Sequence, residues 1–468
     1  MGRATGTRNS VSARMASIIV ALLVLSLTTN VFPAFNVIAI LSLFPLWMFW
    51  SKTATPDRRL GPRTAIRFLL AAYAFWIFSY VLTTAPLSYL VSYDFLRFNG
   101  AIFVAYLPLL LLGDVGLSSR VVYRLVWICL GILAGIAVLG AALLLLASGH
   151  LLSLRTSILS GLLSFEAGHE MPIMLLGLYR THMTAGNQYA MAALVAICFM
   201  LRTKNPKIAS MNGLVLVSLL AATILSGART AYVAFTAAFL IQFASKRKYF
   251  RPLLKIGALV MVPSFLFFLS QPSVFNRAAT IVNFEGKDNV AGRFRLYQKA
   301  LEDFSDSPLI GIGFARYSDS GKTFVGVRHL IYIATSGESS TDINQIMEVH
   351  DSYLQFLAEG GLVGLFLMLG VWVSTYRWAC RLRHKLKDGT NGAALCESVQ
   401  VSILVTMFSS LTGTTMMMAT TPLFVFALVG LLRNVVAFDC RCQARGSMKA
   451  IACTGFPVPT PVAHLTTG

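Results

Sequence analysis

Residues 122–147 read VYRLVWICLGILAGIAVLGAALLLLA, an apolar run that contains one charged residue, Arg124. A helix needs about 20 mostly apolar residues to cross the hydrocarbon layer of a membrane. This run exceeds that length, and it is apolar on every face, which is atypical of a helix at the surface of a soluble protein. It therefore predicts a transmembrane helix.

The same criterion identifies further apolar runs along most of the chain. The first run is not read as a cleavable signal peptide, because a second apolar run, Pro33 to Trp50, follows it directly. We predict an all-α, polytopic integral membrane protein with about 12 transmembrane helices. The predicted spans lie near 15–32, 34–50, 64–83, 96–113, 122–147, 183–201, 211–226, 230–243, 256–270, 352–376, 397–415 and 420–435.

The composition agrees with a membrane protein. Of the 468 residues, 56% are hydrophobic and 12% are charged, whereas a soluble domain carries about 25% charged residues. A soluble enzyme and a disordered chain are both excluded. The net charge of +20 does not indicate nucleic-acid binding, because that requires basic side chains clustered on a soluble face, and here they lie between apolar runs.

The basic residues instead predict the orientation of the chain. Most of the 39 Lys and Arg lie in the connections on the same side as the N-terminus, and such connections usually face the cytoplasm. Both termini are therefore predicted to be cytoplasmic. The predicted divisions are 1–270 with nine membrane helices and a shorter outer loop at 148–182, a large outer loop at 271–350, three membrane helices at 351–435, and a cytoplasmic tail at 436–468.

The large outer loop contains a candidate anion-binding residue. Gly292 to Phe304 predicts an amphipathic helix that ends at Ser307-Pro308 and the Gly311-Ile-Gly313 turn. Arg295 falls on its polar face. Arg293 falls on its apolar face, where a charge is costly unless an anion or a carboxylate receives it, so a structural ion pair and a binding role both stay open. The residues sharing that face are Leu296, Tyr297, Ala300, Leu301 and Phe304.

The shorter outer loop predicts a helix lying at the membrane interface. Its apolar residues recur at roughly helical spacing. Glu166, His169 and Glu170 would then share a face, but such a trio without a further ligand is more typical of a solvated loop end than of a metal site. We therefore predict no metal site. The apolar residues are Leu151, Leu154, Ile158, Leu162 and Phe165.

Two short segments at the outer ends of predicted spans carry further candidates. Arg229, in Ser226 to Thr230, lies at the outer membrane edge, where an arginine either serves a function or extends toward headgroup phosphates. His350 stands at the mouth of the tenth span, whose helix is predicted to be capped by Asp351 or Ser352. Gly360 and Gly364 in that span are typical of close helix packing.

Taken together, these segments resemble the O-antigen ligase and O-antigen polymerase superfamily of bacterial envelope glycosyltransferases. The resemblance rests on Ser226 to Thr230, on Gly292-Arg293 with Tyr297 and the segment to Gly313, and on His350 to Gly364, in that order around one long outer loop. It covers roughly residues 210–375.

The resemblance implies an enzyme of the bacterial inner membrane with a periplasmic active site. It would transfer a glycan from undecaprenyl diphosphate to a sugar hydroxyl of lipid A core, with no metal or other cofactor. Arg229 and Arg293 would bind the diphosphate, since the planar arginine fork suits phosphate oxygens. His350 would act as the base or as a phosphate ligand, with Asp351 and Tyr297 in supporting positions.

Three alternatives stay open. A polymerase of the same superfamily would use the same donor and add the glycan to another repeat unit. A transporter with 12 spans fits the helix count, but transporters generally place ionisable residues near the membrane midplane, and here the candidate residues lie at the outer edge. A non-catalytic assembly partner would fit the topology and would tolerate substitution of Arg229, Arg293 and His350.

Overall fold

A computed structural model describes the chain in several stretches. These are residues 61–83, 105–112, 117, 119–147, 164–166, 174–177, 182–202, 206–244, 290–313, 349–386, 390–413, 415–416 and 420–444. Within them the structure is helical apart from one pair of short strands. The helices are α1 Arg63–Thr83, α2 Pro108–Leu111, α3 Ser119–Ala147, α4 His182–Met200, α5 Pro206–Leu225, α6 Arg229–Phe243, α7 Val290–Asp306, α8 Ser352–Lys385, α9 Asn391–Ser409 and α10 Thr420–Ala444.

Four of the described helices are long and apolar enough to cross a membrane: Ser119–Gly140, Met183–Met200, Ser352–Lys385 and Asn391–Ser409. The helical class of the membrane region is thus confirmed where the structure describes it. The predicted spans at 15–32, 34–50 and 256–270 lie outside the described residues. The total of 12 stays a prediction.

Two helix boundaries differ from the predicted ones for identifiable reasons. α9 begins at Asn391, because the hydroxyl of Thr390 accepts a hydrogen bond from the Ala393 N–H at 3.2 Å and caps the helix. α8 extends to Lys385, well past residue 376, and its last turn is basic. Cations there interact favourably with the negative end of the helix dipole.

α4 is the central helix of the described bundle. Its residues from Thr184 to Phe199 are buried on every face, as expected for a helix without a polar stripe. Small residues allow its neighbours to approach: a Cβ atom added at Gly186 would lie 2.5 Å from the Ala228 Cβ and 2.6 Å from the Ser226 Oγ. α5, α6 and α9 pack around α4.

The shorter outer loop differs from the prediction. Ser164–Glu166 and Met174–Gly177 form strands β1 and β2, which pair antiparallel. Phe165 and Glu166 therefore lie on a strand, and the helix predicted through Phe165 is wrong at this position. The other residues of that predicted helix, 151–162, lie outside the described residues. Alternation along a strand and helical periodicity are hard to separate in a short apolar segment.

α8 is interrupted at Gly361, whose backbone is non-helical with φ 60° and ψ −160°. The segment after α7 completes the missing hydrogen bonds. The N–H groups of Leu362 and Val363 donate to the carbonyls of Pro308 and Leu309 at 2.9 and 3.2 Å. In return, Ile312 and Gly313 donate to the carbonyls of Ala358 and Glu359 at 2.9 and 3.0 Å. These hydrogen bonds satisfy backbone groups that have no helical partner at the break, and unsatisfied groups of this kind are costly in a helix that crosses a membrane.

The two parts of α8 run in different directions. Gly364 lies against Phe75 of α1, and the Phe356 ring stacks on Trp76 with 6.4 Å between ring centroids. In a straight helix, residues 356 and 364 would be separated by about 12 Å along the axis, yet here they contact neighbouring residues of α1. The carbonyl oxygen of Phe356 lies 3.8 Å from where a Cβ atom of Gly364 would stand. The segment Ser352–Gly360, called the α8 entry segment below, therefore does not continue the axis of the rest of α8.

At the far end of the bundle, a buried carboxylate joins three helices. The Oε1 atom of Glu397, a residue that is 1% exposed, accepts hydrogen bonds from the guanidinium groups of Arg202 at 2.6 Å and Arg383 at 3.0 Å. Arg202 follows α4, Arg383 lies in α8 and Glu397 lies in α9. This charge cluster holds the ends of the three helices together.

Candidate active site

The candidate site begins with an unusual backbone at His350. Its φ of 58° makes it the one non-glycine residue with positive φ among the residues that the structure describes. Side chains rarely adopt this conformation, which costs roughly 1–2 kcal/mol for residues other than glycine. Such residues cluster at functional sites. This conformation turns the chain at His350, one residue before the cap of α8. The place of His350 therefore depends on how the start of α8 is held.

Asp351 caps that helix, which confirms one of the two predicted caps. Its Oδ1 atom accepts hydrogen bonds from the N–H groups of Tyr353 at 2.8 Å and Leu354 at 3.0 Å. Burial raises the pKa of the Asp351 carboxyl, and the two backbone hydrogen bonds partly oppose this rise. The cap fixes the carboxylate beside His350.

Ser352 connects the start of α8 to the segment that follows α9 by hydrogen bonds. Its N–H donates to the Ser410 carbonyl at 2.9 Å, and its hydroxyl donates to the Gly413 carbonyl at 3.0 Å. The same hydroxyl accepts a hydrogen bond from the Met416 N–H at 3.2 Å. Ser352 is fully buried and makes three such hydrogen bonds, two of them through its hydroxyl, so it holds the adjacent His350 and Asp351 against the bundle.

α7 lies against the α8 entry segment, as its amphipathic pattern requires. Ala300 is buried together with Val349 and Ala358, and Leu296 and Tyr297 pack on these residues. The predicted apolar face is confirmed at these α7 positions. It is wrong at Leu301, which is 50% exposed.

Arg293 and Asp351 both lie close enough to Tyr297 to affect its phenol. Burial raises the pKa of the Tyr297 phenol, the Asp351 carboxylate raises it further, and the Arg293 guanidinium lowers it. One phenol thus experiences both charges, because α7 and the start of α8 meet here. The phenol stays protonated at neutral pH and can donate a hydrogen bond. Arg293, Tyr297, Asp351 and the adjacent His350 form one group, called the α7–α8 cluster below.

Arg229 lies on a different helix, at the first residue of α6. It is exposed in the first turn of α6, directly after a tight turn at Gly227. That turn packs on Gly186 of α4. One turn earlier in α4, the methyl group of Met183 lies 2.8 Å from where a Cβ atom of Gly413 would stand. The carbonyl of Gly413 accepts the hydrogen bond from the Ser352 hydroxyl at the start of α8. Arg229 and the start of α8 therefore both lie near the first turn of α4.

Two buried polar side chains, one in α4 and one directly after α9, were not predicted from the sequence. In the α4–α9 interface, Met183 contacts Gly413 and Met191 accepts a hydrogen bond from the Thr406 hydroxyl at 3.7 Å. Asn187 lies in α4 between Met183 and Met191, and Ser410 follows the last residue of α9. The Asn187 Oδ1 and Ser410 Oγ atoms are buried without a hydrogen-bond partner in the part of the chain that the structure describes. A polar side chain within an apolar span was the available signal.

No group of three or more His, Cys, Asp and Glu side chains that could hold a metal ion occurs among the described residues. Of the trio considered in the shorter loop, Glu166 lies on β1, while His169 and Glu170 lie outside the described residues. The chemistry of the α7–α8 cluster is instead that of a cation, a phenol donor, a carboxylate and an imidazole. Such a set suits binding of an anion and transfer of a proton.

A family model described as O-antigen ligase matches residues 213–369. The match runs from α5 to the middle of α8 and contains Arg229, Arg293, Tyr297, His350 and Asp351. No curated protein matches the chain.

Proposed function

Because residues 213–369 match a family model described as O-antigen ligase, we propose that this chain belongs to the O-antigen ligase and polymerase superfamily and transfers a glycan from undecaprenyl diphosphate to a hydroxyl of lipid A core. The family implies ligase-like or polymerase-like activity and a lipid-linked glycan substrate. We further propose that the protein lies in the bacterial inner membrane, with its active site facing the periplasm and both chain termini in the cytoplasm. The observation that supports it most directly is the α7–α8 cluster within the matched region.

In the proposed reaction, the acceptor oxygen forms a bond to the anomeric carbon of the donor glycan. The bond between that carbon and the diphosphate oxygen breaks, and the diphosphate leaves with the electron pair. Arg293 and Arg229 bind the growing negative charge through charge-assisted hydrogen bonds, each contributing about 1.5–3 kcal/mol. The Tyr297 phenol is positioned to donate a further hydrogen bond to a phosphate oxygen.

His350 has two possible roles in this scheme. As a base, it accepts the proton of the acceptor hydroxyl, since an imidazole with an ordinary pKa near 6.5 suits that task. As a cation, it binds a diphosphate oxygen, and the proton of the acceptor hydroxyl then passes to the departing diphosphate. Asp351, fixed by its cap hydrogen bonds, stabilises a positive charge on the neighbouring imidazole in either role.

A polymerase differs from a ligase in the acceptor, so the surface glycans of a strain lacking the protein distinguish them. Loss of a ligase leaves bare core and accumulated lipid-linked polymer. Loss of a polymerase leaves core that carries a single repeat unit. An unchanged glycan profile would contradict both activities and favour transport.

The His350→Ala variant tests the site itself. Either role predicts that H350A fails to restore the glycan profile of the deletion strain, because general base catalysis alone contributes roughly 10²–10⁴-fold. The control is accumulation of the variant in the membrane, with a thermal unfolding midpoint close to that of the wild type. Restored glycan transfer by H350A would remove His350 from the mechanism.

A further inference from the structure

A cavity of about 730 Å³ lies between α1 and α8, at the opposite end of α8 from His350. α1 and α8 touch beside it, because a Cβ atom at Gly370 would overlap the Phe68 ring. Phe68 also packs edge-on against Phe366, with 5.6 Å between ring centroids. The cavity thus opens beside a close helix contact.

The lining changes from apolar to cationic along α8. Phe366, Leu369 and Val373 line one part, and Arg377, Arg381 and His384 line the other. The three basic residues follow helical spacing and therefore share a face, and all three are exposed. Arg383 points elsewhere, to Glu397. The cavity therefore has an apolar half and a cationic half.

The length of the cavity along α8 matches the thickness of the hydrocarbon layer of one membrane leaflet. Eleven residues separate Phe366 from Arg377, which corresponds to about 16 Å along a helix. Half of the hydrocarbon layer measures about 15 Å. An acyl chain lying beside Phe366 would place its phosphate at Arg377.

We propose that this cavity is a binding site for an anionic phospholipid. Its phosphate contacts Arg377 and Arg381, and an acyl chain lies along Leu369 and Val373. In the predicted orientation, this lipid belongs to the leaflet facing the cytoplasm, where basic pockets between transmembrane helices bind acidic headgroups. A free phosphate would leave the apolar half of the cavity without a role. The site does not depend on the proposed glycosyltransferase activity, since it lies at the other end of α8.

The test is native mass spectrometry of the purified full-length chain titrated with phosphatidylglycerol or with phosphatidylcholine of the same acyl chains. We expect the wild type to bind phosphatidylglycerol at least tenfold more tightly. The R377Q/R381Q double variant should lose this preference and bind phosphatidylglycerol about 30-fold more weakly, since each basic residue near an anionic surface contributes about a factor of five. The matched control is R120Q/R124Q, which removes two exposed arginines from α3 and should leave binding unchanged.

A second variant tests the apolar half. V373W fills the groove without changing charge, and it should weaken binding of phosphatidylglycerol while its headgroup partners stay in place. Equal binding of the two lipids by the wild type would overturn the proposal. An equal loss in R120Q/R124Q, or unchanged binding in V373W, would likewise contradict it, since either result means that charge alone attracts the lipid.

Discussion

At the residue scale, the proposed role of Arg293 depends on its geometry as well as its charge. Arginine can bind two phosphate oxygens with one planar group, whereas lysine is a point charge. R293K should therefore lower glycan transfer at least tenfold, corresponding to the loss of one charge-assisted hydrogen bond of about 1.5–3 kcal/mol. The measurement is the transfer rate with a purified lipid-linked donor.

Arg295, two residues further along α7, provides the matched control. It falls on the polar face in the helical pattern, so R295K should leave the transfer rate within about twofold of the wild type. If R293K and R295K lowered the rate equally, Arg293 would have no special position in the site.

Asp351 combines a structural role and an electrostatic role, and two variants separate them. Asparagine caps helices as well as aspartate does, so D351N should keep α8 intact while removing the charge that raises the Tyr297 pKa. The Tyr297 pKa should therefore fall in D351N and rise in R293Q, which removes the opposing positive charge. The pKa can be followed by ¹⁹F NMR with a single fluorotyrosine at position 297.

The companion variant D351A also removes the cap. It should lower the free energy of unfolding by about 1 kcal/mol relative to D351N. An unchanged Tyr297 pKa in D351N would contradict the closeness of the two side chains.

The sequence predicted some of these residues and not others. The apolar face of α7 was sufficient to select Arg293 and Tyr297, and the cap at Asp351 followed from its place before an apolar run. The buried polar side chains of Asn187 and Ser410 were not predicted, because their burial depends on how α4 and α9 pack. The exposure of Leu301 was also missed, since helical spacing alone does not determine how wide a buried face is.

At the element scale, the break in α8 requires glycine at Gly361. Its φ of 60° disfavours any side chain, and a Cβ there would overlap the backbone of Leu309. G361A should therefore destabilise the protein by more than the roughly 1–3 kcal/mol typical of backbone strain. The expected result is a lower unfolding midpoint in detergent and a smaller yield of monodisperse protein.

Gly360 serves as the control for this substitution. A Cβ there would lie 3.6 Å from the Phe75 ring, an ordinary contact, so G360A should unfold close to the wild-type temperature. If G360A and G361A were equally stable, the described break would be wrong.

The helices themselves were largely predictable from sequence, whereas their interruptions were not. Runs of apolar residues such as those of α3 and α4 specify a helix locally. The break in α8 depends on backbone groups of Pro308 to Gly313, more than forty residues earlier in the chain. From sequence, Gly360 and Gly364 indicate helix packing, and the structure places both against Phe75, but nothing local distinguishes Gly361 as a break.

At the scale of the whole molecule, the Glu397 charge cluster fixes the end of the bundle away from the site. Removing the charge of a buried ion pair typically costs 3–5 kcal/mol, because the partner charges stay buried. E397Q should therefore lower the unfolding midpoint strongly. K299Q, which removes a partly exposed pair with Asp303 at 3.6 Å, should cost less than about 1 kcal/mol. Similar midpoints for the two variants would contradict the structural importance of Glu397.

The pairing of Pro308–Gly313 with α8 also has a consequence for protein engineering and for comparison among relatives. The segment Pro308–Gly313 supplies hydrogen bonds that α8 cannot make by itself at its break. A chimaera that exchanges the outer loop must therefore take both partners from the same parent, with one junction before Pro308 and the other after Val363. Variation in loop length among relatives should therefore avoid Pro308–Gly313 and the break at Gly361.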